Sequence, residues 1–172
     1  STPLYSSAAS DVYKRQDVNL IQVETAEEMF KSTQHNLPVD VAIFCAAVAD
    51  FKIKERKKEK IKKKDFINLN LEKNIDILNY VSNHNSLRPK LFIGFAAETN
   101  NIEENSKKKL MEKNCDWIIA NDISNKSIGF DSDFNEVTIL YKDKKIDDEK
   151  LYMKKKSEIA DEIVNRVVSQ LN

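Results

Sequence analysis

A chain of 172 residues is the size of one domain with a real core. Lys plus Arg and Asp plus Glu balance at 28 each, so net charge gives no support to a nucleic-acid-binding protein. No apolar run approaches the ~20 residues that cross a bilayer, and nothing reads as a signal peptide. Two glycines are few for an α/β protein that cradles phosphate on a Gly-rich turn. Cys45 and Cys115 fall in apolar, strand-like runs. They read as reduced core residues of a cytoplasmic protein, not as a disulfide or metal pair.

Residues 1–16 (STPLYSSAASDVYKRQ) carry no periodicity and resemble translated adapter sequence. They are set aside as a non-native or disordered head, and the folded domain is expected over 17–172. Val18 to Val23 reads as a short strand. Thr25 and Glu28 form the T-x-x-E capping box of a helix with Ala26, Met29, Phe30 and Thr33 on one side. Val41 to Val48 is a continuous apolar run, the pattern of a strand covered on both faces. Strand, helix, strand makes a βαβ unit. Asp50 stands just past the run, and nine of the thirteen residues from Lys52 to Lys64 are Lys or Arg. A carboxylate at a strand end followed by dense positive charge suggests an anionic ligand with a metal. A solvated charged loop is the plain alternative.

Phe66 to Leu71 (FINLNL) alternates and reads as a half-exposed strand. Asn74 is placed to cap a short helix carrying Ile77, Leu78 and Val81. Leu91 to Phe95 is a buried strand leading into AAET. Ile102, Ser106 and Leu110 form the inner stripe of the next helix. Trp117 to Ala120 is a further buried strand, ending in Asn121 and Asp122. After a loop over 123–135, Glu136 to Tyr141 and Ile146 to Tyr152 read as a hairpin. Ser157 opens a last helix, with Ile159, Ile163, Val164, Val167, Val168 and Leu171 at helical spacing. The alternation predicts an α/β fold: a doubly wound, mostly parallel Rossmann-like sheet with a C-terminal β-hairpin and helix. The ends AAVAD, GFAAET and AND lie on one edge of such a sheet, and the site is expected there.

Six motifs follow one another along the chain: AAVADF (Ala46 to Phe51), EKIKK (Glu59 to Lys63), KNIDIL (Lys73 to Leu78), GFAAETNN (Gly94 to Asn101), ANDIS (Ala120 to Ser124) and GFDSDFNEVTIL (Gly129 to Leu140). Together they resemble the phosphopantothenate–cysteine ligase domain, over roughly Val18 to Leu171, nearly all of the chain. In bacteria that domain is usually fused behind a flavin-dependent phosphopantothenoylcysteine decarboxylase. The resemblance implies CTP-dependent ligation of 4′-phosphopantothenate to cysteine through an acyl-cytidylate, in cytoplasmic coenzyme A biosynthesis. It implies CTP as substrate, a divalent metal that is normally Mg2+, and a homodimer. FMN is expected only with the decarboxylase domain, which has no counterpart in this sequence. Neither nucleic acid nor membrane is an implied partner.

Carried over motif by motif, the resemblance implies that Ala46 and its neighbours meet the cytosine through their backbone. Asp50 binds the nucleotide, by ribose or by metal. Lys60 is the catalytic cation of a mobile flap over the triphosphate. Asn74, Ile75, Asp76 and Ile77 line the nucleotide pocket, Phe95 packs on the nucleotide, and Lys109 and Lys113 reach it. No residue is assigned as a metal ligand. The residues' own pattern agrees in part. Lys109 and Lys113 share a helix face, where like charges repel by ~0.2–0.5 kcal/mol unless an anion bridges them. A solvated face accounts for them too, and Asp76 also suits a helix start. The sequence departs from the family pattern at Ile75, where Pro is usual. It also lacks the Gly- and Ser-rich stretch that opens the ligase domain, so an incomplete ligase is expected. The alternative is a non-catalytic nucleotide- or nucleic-acid-binding module using Lys52 to Lys64.

Overall fold

The structure, a computed structural model, describes residues 18–54, 70–124 and 132–172. Lys60, most of the basic run and most of FINLNL lie outside the described residues, as does the 1–16 head.

Helix α1 (Ala26–Asn36) begins at the expected capping box. Thr25 Oγ1 accepts from the Glu28 amide at 3.2 Å, and Glu28 Oε2 accepts from the Thr25 amide at 3.0 Å. Two orphan donors are thereby satisfied. Then come β1 (Val41–Phe44), β2 (Phe51–Ile53), β3 (Leu71–Lys73), α2 (Ile77–Ser82), β4 (Leu91–Glu98), α3 (Ile102–Glu112), β5 (Trp117–Asp122), β6 (Phe134–Tyr141), β7 (Glu149–Lys155) and α4 (Lys156–Leu171). The main sheet has the order β1-β4-β5-β6-β7. Parallel pairing joins β1, β4 and β5, and antiparallel pairing joins β5 to β6 and β6 to β7. All strands but β6 therefore run one way. β2 and β3 form a separate antiparallel ribbon.

Alternation along the strands feeds two cores. Leu91, Ile93, Trp117, Ile119, Val137 and Ile139 pack with Ile159, Ile163 and Val167 of α4 on one face. Phe92, Ala96, Ile118, Ala120 and Leu140 pack with Ile77 and Val81 of α2 and Leu110 of α3 on the other, where Met29 and Phe30 of α1 join them. The sheet is thus covered by helices on both faces, as the fold class requires. Gly94 permits the close approach of α2 and β5. A Cβ there would stand 2.9 Å from Ile118 Cδ1 and 3.2 Å from Leu78 Cδ1.

Several expectations are corrected. Val18 to Val23 forms no strand, and Leu20 is 78% exposed. Apolar alternation needs a neighbour to pair with, and these residues have none among those described. The expected βαβ unit therefore lacks its first strand. The run from Val41 is a strand only to Phe44, where its pairing with β4 ends at Gly94. It is an edge strand with Ile43 44% exposed, not a strand covered on both faces. Cys45, just beyond, is exposed, so only Cys115 is a core cysteine. Asn74 does not cap α2. Asp76 does, its Oδ1 accepting from the Asn79 amide at 2.9 Å. The second hairpin strand begins at Glu149 instead of Ile146.

Candidate functional site at the strand ends

The parallel strands β1, β4 and β5 deliver their carboxyl ends to one edge of the sheet. Beyond β1 the chain continues through Ala46 to Asp50 and is pinned there by Asn74. The Asn74 Nδ2 donates to the Ala49 carbonyl at 2.7 Å, and the Asn74 amide donates to the Asp50 carbonyl at 2.8 Å. This places the residue expected to cap α2 as a clasp between two segments of the site.

Between that clasp, α2 and α3 lies a cleft of about 170 Å³. Of the ten site residues that the resemblance implies, nine line it: Ala46, Asp50, Asn74, Ile75, Asp76, Ile77, Phe95, Lys109 and Lys113. The tenth, Lys60, lies outside the described residues. Met29, Phe44 and Leu78 complete the apolar wall. Sequence reading placed Met29 and Leu78 on inner helix stripes but did not give them to the site, because periodicity reports a face and not what the face meets. Ala46, Val48, Ala49 and Asn74 also border a larger cleft of about 770 Å³ that carries Lys52 and Lys54 with Glu24, Glu27 and Glu72. A small, partly apolar recess thus opens beside a roomier one of mixed charge, in which Lys52 pairs with Glu72.

The polar groups of the recess converge. Lys113 Nζ bonds the Asp76 carboxylate, tying the end of α3 to the start of α2. Partial burial pushes the Asp76 carboxyl up. The bonds from Lys113 and the Asn79 amide, with the charges of Lys113 and Lys109, outweigh that and hold it below the usual carboxylate range. The same bond raises the Lys113 ammonium above its usual range against the opposing effect of burial, and Asp50 adds to the rise through its charge. Lys109 Nζ donates to the Phe95 carbonyl at 3.1 Å. Phe95 therefore meets the lysine side of the cleft through its backbone, while its ring packs against the α4-side core. The two lysines enter one recess from one helix, as their spacing suggested. The arrangement can hold a flat polar group against Phe44, Leu78 and Ile77 and place an anion near two ammonium groups.

No group of three or more His, Cys, Asp or Glu side chains among the described residues is arranged to hold a metal ion. Asp50, exposed at the rim, is the carboxylate placed to share one with a ligand. That suits Mg2+, which is commonly bound through one or two carboxylates plus substrate phosphates.

A mixed sheet clothed by helices, with a lysine-bearing recess at the carboxyl ends of its parallel strands, places this chain among the α/β proteins that take their ligand at the strand ends. More narrowly, the chain belongs to the DNA/pantothenate metabolism flavoprotein C-terminal domain family, whose profile matches residues 5–171. It is 38% identical over 156 residues to the coenzyme A biosynthesis bifunctional protein CoaBC of Haemophilus influenzae, covering 90% of this chain and 38% of that protein. With the Escherichia coli K12 protein of the same name it shares 35% identity over 158 residues, 89% of this chain and 38% of the relative. The chain thus spans well under half the length of these curated relatives. Among solved structures it resembles the C-terminal domain of CoaBC, with a TM-score of 0.70 and 34% identity over 94% of this chain and 72% of that one. The DNA/pantothenate metabolism flavoprotein of Streptococcus pneumoniae shares the fold at a TM-score of 0.67, with 20% identity over 86% of this chain and 71% of that one.

Proposed function

We propose that this chain serves coenzyme A biosynthesis as a phosphopantothenate–cysteine ligase domain, joining 4′-phosphopantothenate to cysteine at the expense of CTP. The observation that carries this reading is the convergence of seven motif residues, and of Lys109 and Lys113 from the helix after GFAAETNN, on one recess.

The chemistry explains why such a recess is needed. A carboxylate is a poor electrophile, so the substrate's carboxylate oxygen first attacks the α-phosphorus of CTP. An O–P bond forms, the bond to the β-phosphate breaks, and pyrophosphate leaves. The cysteine amine then attacks the acyl carbon, loses a proton as the amide forms, and releases CMP. The protein's task is to position anions and neutralise charge that grows at phosphorus. Backbone groups of Ala46 to Ala49 and the apolar wall hold the base in this reading. Lys109 and Lys113 give up their protein partners to meet the nucleotide, and Asp50 stands where it can share Mg2+ with the phosphates. Mg2+ supplies charge neutralisation at the phosphates when bound. Lys60 is assigned by resemblance as the cation over the triphosphate.

A homodimer belongs to the same reading. In the β2–β3 ribbon Phe51, Ile53 and Leu71 share one face and are 55%, 43% and 59% exposed. Two-stranded ribbons are marginal alone, and an exposed apolar face on one suits a second copy of the chain.

The test is product formation. The chain, and the chain extended by the segment preceding the match in the Haemophilus influenzae relative, are given 4′-phosphopantothenate, cysteine, Mg2+ and CTP. Phosphopantothenoylcysteine, CMP and pyrophosphate in equal amounts support the ligase. A folded extended protein that makes none of them contradicts it.

A further inference from the structure

Two residues on the apolar wall of the recess, Phe44 and Leu78, are assigned to the nucleotide by none of the motifs. Phe44 ends β1 and stands opposite Gly94 of β4. Gly94 has no side chain, so Leu78 of α2 seats low on the sheet, 3.2 Å from where a Cβ would stand. The Phe44 ring is backed by Phe92, with ring centroids 5.2 Å apart, and Phe92 is itself fully buried. A ring held from behind by close-packed core does not yield cheaply to a larger ligand. The recess that this wall closes is about 170 Å³, below the ~300–1,000 Å³ of sites that hold a whole ligand. It therefore takes one part of a nucleotide, and the larger cleft across Ala46, Val48 and Ala49 has room for the rest. The part that packs on aromatic and aliphatic side chains is the base.

We infer that Phe44, together with Leu78, determines which nucleotide the site accepts: the two side chains set a depth that takes the single ring of a pyrimidine and stops the fused second ring of a purine. This rests on the ligase reading and adds to it the residues that choose the base. Discrimination of this kind is by size. One methylene of misfit in a hydrophobic pocket is worth about 10- to 200-fold, and a second ring is a larger misfit than that. A limiting wall also has a signature that a purely structural residue lacks. Cutting it back weakens the smaller base, which loses contact, and strengthens the larger one, which gains room.

The test is titration calorimetry with CTP and with ATP, each with Mg2+, on the full chain as wild type, Phe44→Ala, Phe44→Leu and Leu78→Ala, beside melting temperatures. In Phe44→Ala, CTP binds about tenfold more weakly and ATP about tenfold more tightly, so the preference for CTP falls to parity or reverses. The melting temperature falls as well, because packing on Phe92 is lost. Leu78→Ala opens the same wall from α2 and moves the two nucleotides in the same directions. Phe44→Leu, a smaller cut, does so by less and carries the test where an alanine variant does not fold. A loss shared equally by CTP and ATP marks a structural residue and overturns the inference. So does a preference for CTP that survives in every folded variant, which gives the choice of base to polar contacts. Wild type that binds CTP and ATP alike overturns the inference while leaving a nucleotide site standing. Wild type that binds neither overturns both.

Discussion

Lys113→Met separates a binding role from a structural one, because the structure makes the two effects very different in size. The substitution keeps most of the aliphatic stem and removes the ammonium that bonds Asp76. The two side chains are 31% and 43% exposed, so solvent screens the pair. A discounted contribution of about 0.5–1 kcal/mol is appropriate for such a pair. For a domain of this size that lowers the melting temperature by at most ~2–4 °C. Asp76 keeps its bond to the Asn79 amide, so α2 stays capped. A nucleotide phosphate or base that meets the ammonium loses a charged hydrogen bond worth about 1.5–3 kcal/mol, or ~10- to 150-fold in affinity. Differential scanning calorimetry and titration of CTP on the same preparation read both numbers. A fall in melting temperature of many degrees with CTP affinity unchanged would refute the reasoning. It would make the pair a structural staple and move the nucleotide elsewhere.

Other expectations follow from the same geometry. Asp76→Asn retains a capping side chain but loses the ion pair. Because the Asp76 carboxyl is held below its usual range, its stabilisation is present above about pH 4 and is lost as pH falls through the depressed value. The wild type should therefore lose stability relative to Asp76→Asn in a melting series from pH 6 to pH 2, and parallel curves would show that the pair contributes nothing. Gly94→Ala forces a methyl against Ile118 and Leu78, should cost about 1–3 kcal/mol, and should weaken CTP binding because Leu78 lines the recess; a neutral result in both would mean that α2 yields freely. Thiol reagents should modify Cys45 quickly and Cys115 only on unfolding, since burial, then the Asp116 charge, pushes the Cys115 thiol up to about 12; two equally fast thiols would contradict the core packing. Phe51→Ser with Leu71→Ser should shift a dimer to monomer in sedimentation, and an unchanged mass would remove the ribbon from the interface.

Local chemistry was legible where it is self-contained. The capping box of α1 needs only Thr25 and Glu28, and it stands as read. The buried runs of β4 and β5 announce themselves because both faces are covered. Legibility failed where a partner decides. Val18 to Val23 has strand composition, but pairing is not written in composition. Val41 to Val48 is apolar enough for a central strand and yet forms an edge. Asn74 and Asp76 are both competent caps two residues apart; the Asn74 side chain is taken by the Ala49 carbonyl, and Asp76 caps the helix. Phe95 shows the limit for the site: its place at the strand end was visible, but which face its ring takes was set by packing with the α4 side.

The most direct measurement is titration of the folded chain with CTP in the presence of Mg2+, beside ATP under the same conditions. The recess predicts one CTP bound per chain, with ATP at least about tenfold weaker because a purine asks more room of the small base-side recess. A folded chain that binds neither nucleotide, or binds CTP, ATP and inorganic triphosphate alike, would contradict the assignment of this recess to a pyrimidine nucleotide.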